Sequence, residues 1–133
     1  MSEENLQVVR ATFDAFLRGD ELAMLELVDP SVVFTPLPDT PGFRSCHGHE
    51  GLVLGIEEFG TGAWEDFSIE VRHMRDFDDH VLAAYRWRGR GKVSGIQMEV
   101  DVYGLLTLRE GKIARWQLFP SEQQALDAVG LRE

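Results

Sequence analysis

The chain has 133 residues, 44% of them hydrophobic and 27% charged, which suits one domain over residues 1–133 that buries a core without metal or disulfide support. Thirteen basic against 23 acidic residues give a net charge of -10, which opposes binding to phosphate backbones or anionic lipid, so neither nucleic acid nor membrane is an expected partner. The single cysteine, Cys46, excludes an internal disulfide, the opening Met-Ser-Glu-Glu-Asn is no signal region, and no apolar run approaches the ~20 residues of a membrane span; a cytoplasmic protein is expected.

Ser2 caps a first helix with Leu6, Val9, Phe13, Phe16 and Leu17 at helical spacing and Glu3 and Glu4 against its N-terminal dipole. Gly19 ends it. Asp20 is the cap of a second helix whose stripe is Leu22, Leu25 and Val28, stopped at Asp29-Pro30. Ser31 to Thr35 reads as a short strand, and Pro36, Pro38, Pro41 and Gly42 then force an irregular loop placed to form a pocket rim. A third helix carries Leu52, Val53, Ile56 and Phe59; Gly51 and Gly55 cost it about 1 kcal/mol each relative to alanine, which close packing against a sheet would explain. Gly60 to Gly62 breaks the chain before Trp64.

From Trp64 the pattern switches to period two. Phe67, Ile69, Val71 and His73 share one face; Val81, Ala83, Tyr85 and Trp87 share the apolar face of the return strand after the Asp78-Asp79 turn. A long strand from Val93 to Arg109 puts Ile96, Met98, Val100, Val102, Leu106 and Leu108 on its apolar face, and a tight hairpin at Arg109-Glu110-Gly111-Lys112 leads to Ile113–Phe119, with Trp116 and Leu118 on one side and Arg115 and Gln117 on the other. Ser121-Glu-Gln-Gln124 is a capping-box pattern ahead of Ala125, Leu126 and Val129, with Gly130 as the stop. The order is helix, helix, strand, helix, four strands, helix, an α+β arrangement.

Several polar groups invite chemistry. Glu99 and Asp101 form a pair that could drive one pKa upward, yet they lie opposite the apolar face and beside Arg86 and Arg88, so cross-strand ion pairing is the simpler account. His47 and His49 with Glu50 make a weak metal signal, and a helix-start or rim role is expected; His49 keeps a place as a candidate proton donor at the pocket mouth. His73 reads as a core or interface histidine, His80 as a turn residue and Cys46 as an inert thiol. Arg88-Gly-Arg-Gly-Lys92 reads as a solvated strand end bent by its glycines and lacks the phosphate-loop pattern. No cofactor or metal is expected.

Arg18-Gly-Asp20, Val33-Phe34, Gly48-His-Glu-Gly51, Trp64-Glu-Asp-Phe67, Arg88-Gly-Arg-Gly91 with Ser94-Gly95, Leu108-Arg-Glu-Gly-Lys-Ile113 and Trp116 resemble the SnoaL-like group of the nuclear-transport-factor-2-like superfamily over nearly the whole chain. The resemblance implies a cone, a bent and mostly antiparallel mixed sheet wrapped around helices, with pairing through the outer sheet face into a homodimer. It also implies a cavity for a small hydrophobic or aromatic molecule, lined here by Phe34, Trp64, Tyr85, Trp87, Val100, Val102, Trp116 and Leu118, with Tyr85 and the indoles as polar handles. The catalytic sets of the superfamily do not carry over. Where ketosteroid isomerases place their base this chain has Thr35, and their oxyanion donors fall near Thr12 and near Tyr103 or Gly104. The triad of limonene epoxide hydrolases falls near Tyr85, Trp87 and Leu118, and the acid of polyketide cyclases near Phe119 and Pro120. A ligand-binding protein is therefore expected; an isomerase, cyclase or hydratase using Tyr85 or His49 and an interaction module exposing Tyr103 and Phe119 are the alternatives.

Overall fold

The computed structural model describes residues 2–38, 45–59 and 64–130. The Pro41-Gly42 part of the expected rim loop and the Gly60–Gly62 break lie outside the described residues. Elements follow in the order α1 (Ser2–Leu17), α2 (Glu21–Glu26), β1 (Val28–Thr35), β2 (Cys46–His47), α3 (Gly48–Phe59), β3 (Trp64–Phe77), β4 (His80–Gly91), β5 (Gln97–Arg109), β6 (Lys112–Phe119) and α4 (Glu122–Ala128). The two-residue β2 was not anticipated, because Cys-His carries no alternation to read. No described helix is long and apolar enough to cross a membrane.

The six strands form one sheet in the order β2-β1-β6-β5-β4-β3. Only β1 and β6 run parallel; every other pair is antiparallel. Paired residues share a face, so the register fixes an inner face through Ile69–Trp87–Val100, Val71–Tyr85–Val102, Ala83–Gly104–Leu118 and Val81–Leu106–Trp116. Against that face α1 sets Val9 and Phe13 and α3 sets Leu52, all buried. Bulges in β3 and between β5 and β6 interrupt the ladder and increase local bend, which curves the sheet about these helices.

Local chemistry explains the joints. The hairpin between β5 and β6 has positive φ at both Glu110 (53°) and Gly111 (77°), the mirror-image turn whose twist matches the flanking strands. The Asp20 carboxylate caps α2 by accepting from Ala23 N at 3.1 Å, and Ser121 caps α4 by accepting from Gln124 N at 3.2 Å. Gly55 is required by contact: a Cβ there would stand 3.0 Å from Cys46 Sγ and 3.1 Å from the Phe34 ring, so α3 approaches β1 and β2 closely.

Three expectations need correction. Helix α2 ends at Glu26, and Val28 belongs to β1, where it pairs with Ile113; Leu22, expected on the buried stripe, is 77% exposed and Met24 is buried in its stead. The long strand begins at Gln97, so Val93 and Ile96 are exposed beyond its start and Met98 is exposed within it. Alternation alone cannot tell an apolar strand face from an apolar turn beside it. His73 leaves the face of Phe67, Ile69 and Val71 because a bulge sets both Val71 and Arg72 opposite the Tyr85–Ala84 step, which turns His73 outward and Met74 inward against Ala83.

The outer face has a second, smaller core in which α4 covers Leu82 and Leu105 with Ala125 and Leu126. Arg75 of β3 pairs with Glu122 at the start of this helix. Leu105→Ala should cost about 2–5 kcal/mol, since the side chain is fully buried, whereas Leu22→Ala should stay within about 0.5 kcal/mol. Urea denaturation of the two variants checks the contrast.

Candidate functional site

Inside the curved sheet lies a cavity of about 40 Å³ lined by Phe13, Phe16, Phe34, Gly55, Ile56, Phe67, Ile69, Tyr85, Trp87, Trp116 and Leu118. Its floor is fixed. Phe13 packs edge-on against Tyr85 (ring centroids 5.2 Å apart) and against Trp116 (5.5 Å), and Phe34 packs edge-on against Trp116 (5.9 Å). Floor residues Phe13, Phe34, Tyr85, Trp116 and Leu118 are all buried, whereas Phe16, Ile56, Phe67, Ile69 and Trp87 on the other side are only partly buried. Phe16 and Ile56 also line a neighbouring cleft of about 210 Å³ with Asp20, Glu21, Met24, Val53 and Glu57, so these two side chains stand between the cavity and that cleft.

Gly104 makes the floor possible. It sits between Ala83 and Leu118 on the inner face, and a Cβ there would come 3.0 Å from the Tyr85 hydroxyl and 3.4 Å from Trp116 Nε1. The two large side chains therefore lean across a position without a side chain. Burial pushes the Tyr85 hydroxyl well above its ordinary value, against the opposing influence of the neighbouring Trp116 indole, so the group is a neutral phenol. The Trp116 indole is close enough for that influence but reaches no hydrogen-bond geometry: Nε1 of Trp116 and Nε1 of Trp87 are both buried without a partner.

Of the side chains expected to line the cavity, Phe34, Tyr85, Trp87, Trp116 and Leu118 come together there. Trp64 and Val100 instead pack beside it with Phe67, Trp87 and Met98, and Val102 is wholly buried in the core below. Sequence reasoning missed Phe13, Phe16, Ile56, Phe67 and Ile69 as cavity residues, although their helical and alternating spacings were on view; nothing local says that a core residue borders a void. Gly55 carried a signal in its cost to the helix.

The polar candidates lie elsewhere. The His49 ring nitrogen Nε2 donates to Val28 O at 2.8 Å, which ties α3 to β1, and His49 is not among the cavity residues. His80 Nδ1 lies 3.0 Å from Thr107 Oγ1 across the first pair of β4 and β5, and Cys46 is buried under α3. Among the described residues no cluster of three or more His, Cys, Asp or Glu could hold a metal ion. Glu99 and Asp101 stand on the outer face with their cross-strand partners: Arg88 Nε donates to Glu99 at 2.7 Å and Arg86 Nε to Asp101 at 2.8 Å, with Glu70 3.5 Å from Arg88. These arginine hydrogen bonds hold both carboxyls below their ordinary values, the reverse of what a general acid needs at neutral pH.

The curved sheet with α1 and α3 packed on its inner face is the NTF2-like fold, which solved structures share. An NTF2-like protein from Burkholderia thailandensis E264 superposes with a TM-score of 0.80 at 20% identity over 94% of this chain and 96% of that one. A second, from Burkholderia xenovorans LB400, gives 0.77 at 20% identity over 96% and 97%. A protein of ketosteroid isomerase-like fold from Catenulispora acidiphila DSM 44928, solved in complex with trimethylamine, gives 0.68 at 18% identity over 94% and 93%. At these identities the likeness concerns the fold alone. Residues 9–116 match the SnoaL-like domain, and the chain belongs to that family. No curated protein matches the chain significantly.

Two outcomes follow from the site. Gly104→Ala should destabilise by about 1–3 kcal/mol, because the added methyl overpacks a floor pinned by three aromatic contacts; thermal unfolding followed by near-ultraviolet circular dichroism measures it. Glu99 and Asp101 have lowered folded values, so their contribution is present above the ordinary values of 4.5 and 3.8 and is lost as pH falls through the lowered ones. The double variant Glu99→Gln, Asp101→Asn should be slightly less stable than the wild type at neutral pH and converge with it as pH falls toward about 3, so that its acid limb is flatter; urea denaturation across that range checks it.

Proposed function

We propose that this protein binds a small apolar or aromatic molecule in the cavity between α1, α3 and the sheet. One observation carries the reading: the eleven lining residues include no carboxylate, imidazole, guanidinium or ammonium, and aromatic rings form most of the wall. Such a surface favours an apolar guest by dispersion and by release of water and offers nothing to stabilise a buried charge. As it stands the cavity admits about two or three water-sized spheres. A ring therefore enters by displacing the partly buried side of the wall, Phe16, Ile56, Phe67 and Trp87, while the floor stays in place.

Tyr85 is the one lining residue able to exchange a proton, and it supports the enzymatic alternative only in part. A phenol held neutral can donate a hydrogen bond to a carbonyl, but it cannot act as a base near pH 7. Binding without proton abstraction is the reading favoured. We further assign the outer face of β3, β4 and β5 as the surface on which a second copy pairs. Its crossed rows of Arg72, Arg86, Arg88, Glu70, Glu99 and Asp101 carry both signs of charge and are complementary to themselves.

Native mass spectrometry of the freshly purified protein tests both assignments together. A dimer carrying a defined additional mass is expected; a monomer at micromolar concentration would remove the outer face as a pairing surface. For the cavity, Trp87→Ala should weaken capture of benzene-sized aromatic probes about tenfold or more, and Glu99→Ala should leave it within about twofold. If Glu99→Ala abolished binding and Trp87→Ala did not, the cavity would be the wrong site.

A further inference from the structure

The two buried indoles carry the argument one step further, and the step rests on reading the cavity as a ligand site. Buried N–H groups are almost always paired, because leaving one desolvated and unpaired costs about 1–3 kcal/mol. Among the described residues two such donors remain, Trp87 Nε1 and Trp116 Nε1, and both indoles line the same cavity. Trp116 is only 5% exposed, and its ring is held between Phe13 and Phe34, so its donor does not swing out to water. Neither indole has an acceptor side chain among its neighbours in the wall except the Tyr85 hydroxyl, which lies across Gly104 from Trp116 without meeting its N–H in hydrogen-bond geometry.

A purely hydrocarbon guest would seal these donors away from water and leave them unpaired. An anion would find two N–H dipoles but no cation among the lining residues to offset its own desolvation. A neutral group with exposed oxygen lone pairs satisfies a donor and brings no charge. We propose that the cavity selects an uncharged aromatic or apolar molecule bearing a hydrogen-bond acceptor, such as a ketone, ester or ether oxygen, which is received by the indole N–H of Trp116, with Trp87 as the second donor nearer the mouth. The aromatic floor holds the hydrocarbon part of the guest, and the indoles set its orientation. Trp87 and Trp116 are thereby specificity residues for acceptor against hydrocarbon, a distinction that a cavity of phenylalanine alone does not make.

Three probes of one size test the proposal: acetophenone, cumene, which replaces the ketone oxygen by a methyl group, and benzoate, which is ionised at neutral pH. Titrations of the ¹⁵N-labelled full chain follow the indole N–H resonances of Trp87 and Trp116, which read hydrogen bonding directly. Acetophenone should move the Trp116 indole proton downfield, cumene should not, and benzoate should bind at least about tenfold more weakly than acetophenone. Trp116→Phe should weaken acetophenone about tenfold and leave cumene within about twofold, because it removes the donor and keeps an aromatic ring. If cumene and acetophenone lose affinity equally in Trp116→Phe, or if acetophenone binds the wild-type chain with both indole protons unmoved, the acceptor inference fails while the cavity remains a binding site. If benzoate binds as tightly as acetophenone, the restriction to uncharged ligands is wrong. If none of the three binds, the cavity reading and the inference fall together. The wild-type resonances decide the matter even where Trp116→Phe does not fold, and Trp87→Phe repeats the test at the second donor.

Discussion

The contact on which the structure depends is the edge-on packing of Phe13 against Tyr85 and Trp116. It joins α1 to β4 and β6, two strands separated by β5, at the point where Gly104 leaves the inner face bare. Edge-to-face pairs add a preferred geometry to the area they bury, so the rings are oriented as well as packed. Phe34 extends the cluster to β1, and Gly55 lets α3 close over Phe34. The cavity lies beside these rings. The same constraint strands two indole donors, since a ring position set by packing is not free to seek a partner for its N–H.

The two faces of the sheet divide the labour. Inward, the alternation places carbon; outward, it places arginine and carboxylate in cross-strand register, together with the small core under α4. Exposed ion pairs of this kind contribute little each, but they define which carboxyls are available for chemistry. Glu99 and Asp101 are engaged by arginines and held ionised, so the acidic pair most suggestive of acid–base work faces away from the cavity. Among the described residues, the polar groups lining the cavity are the neutral phenol of Tyr85 and the indoles of Trp87 and Trp116.

The SnoaL-like fold explains the container and leaves the content open, because a fold fixes where a pocket lies and not which groups line it. The resemblance puts Thr35 at the base position of ketosteroid isomerases and their oxyanion donors near Thr12 and near Tyr103 or Gly104, and Gly104 has a structural use of its own. The absence of a side chain at Gly104 is what permits Tyr85 and Trp116 to approach one another across the floor.

Element types and most of their faces are legible in the chain. Helical spacing of Leu6, Val9 and Phe13, period-two alternation from Val81 to Trp87, the capping signals at Asp20 and Ser121 and the Glu110-Gly111 hairpin are local, and local sterics decide them. The family resemblance added the cavity wall, of which Phe34, Tyr85, Trp87, Trp116 and Leu118 border the cavity while Trp64, Val100 and Val102 do not. Only the tertiary structure decided the rest. A one-residue bulge after Val71 reversed the side of His73, a hydrogen bond to Val28 drew His49 to the strand and away from the cavity, and β2 formed because β1 offered it an edge. Whether Val102 is core and Phe16 is wall depends on how helices seat against the sheet, a relation between residues distant in the chain that no periodicity encodes.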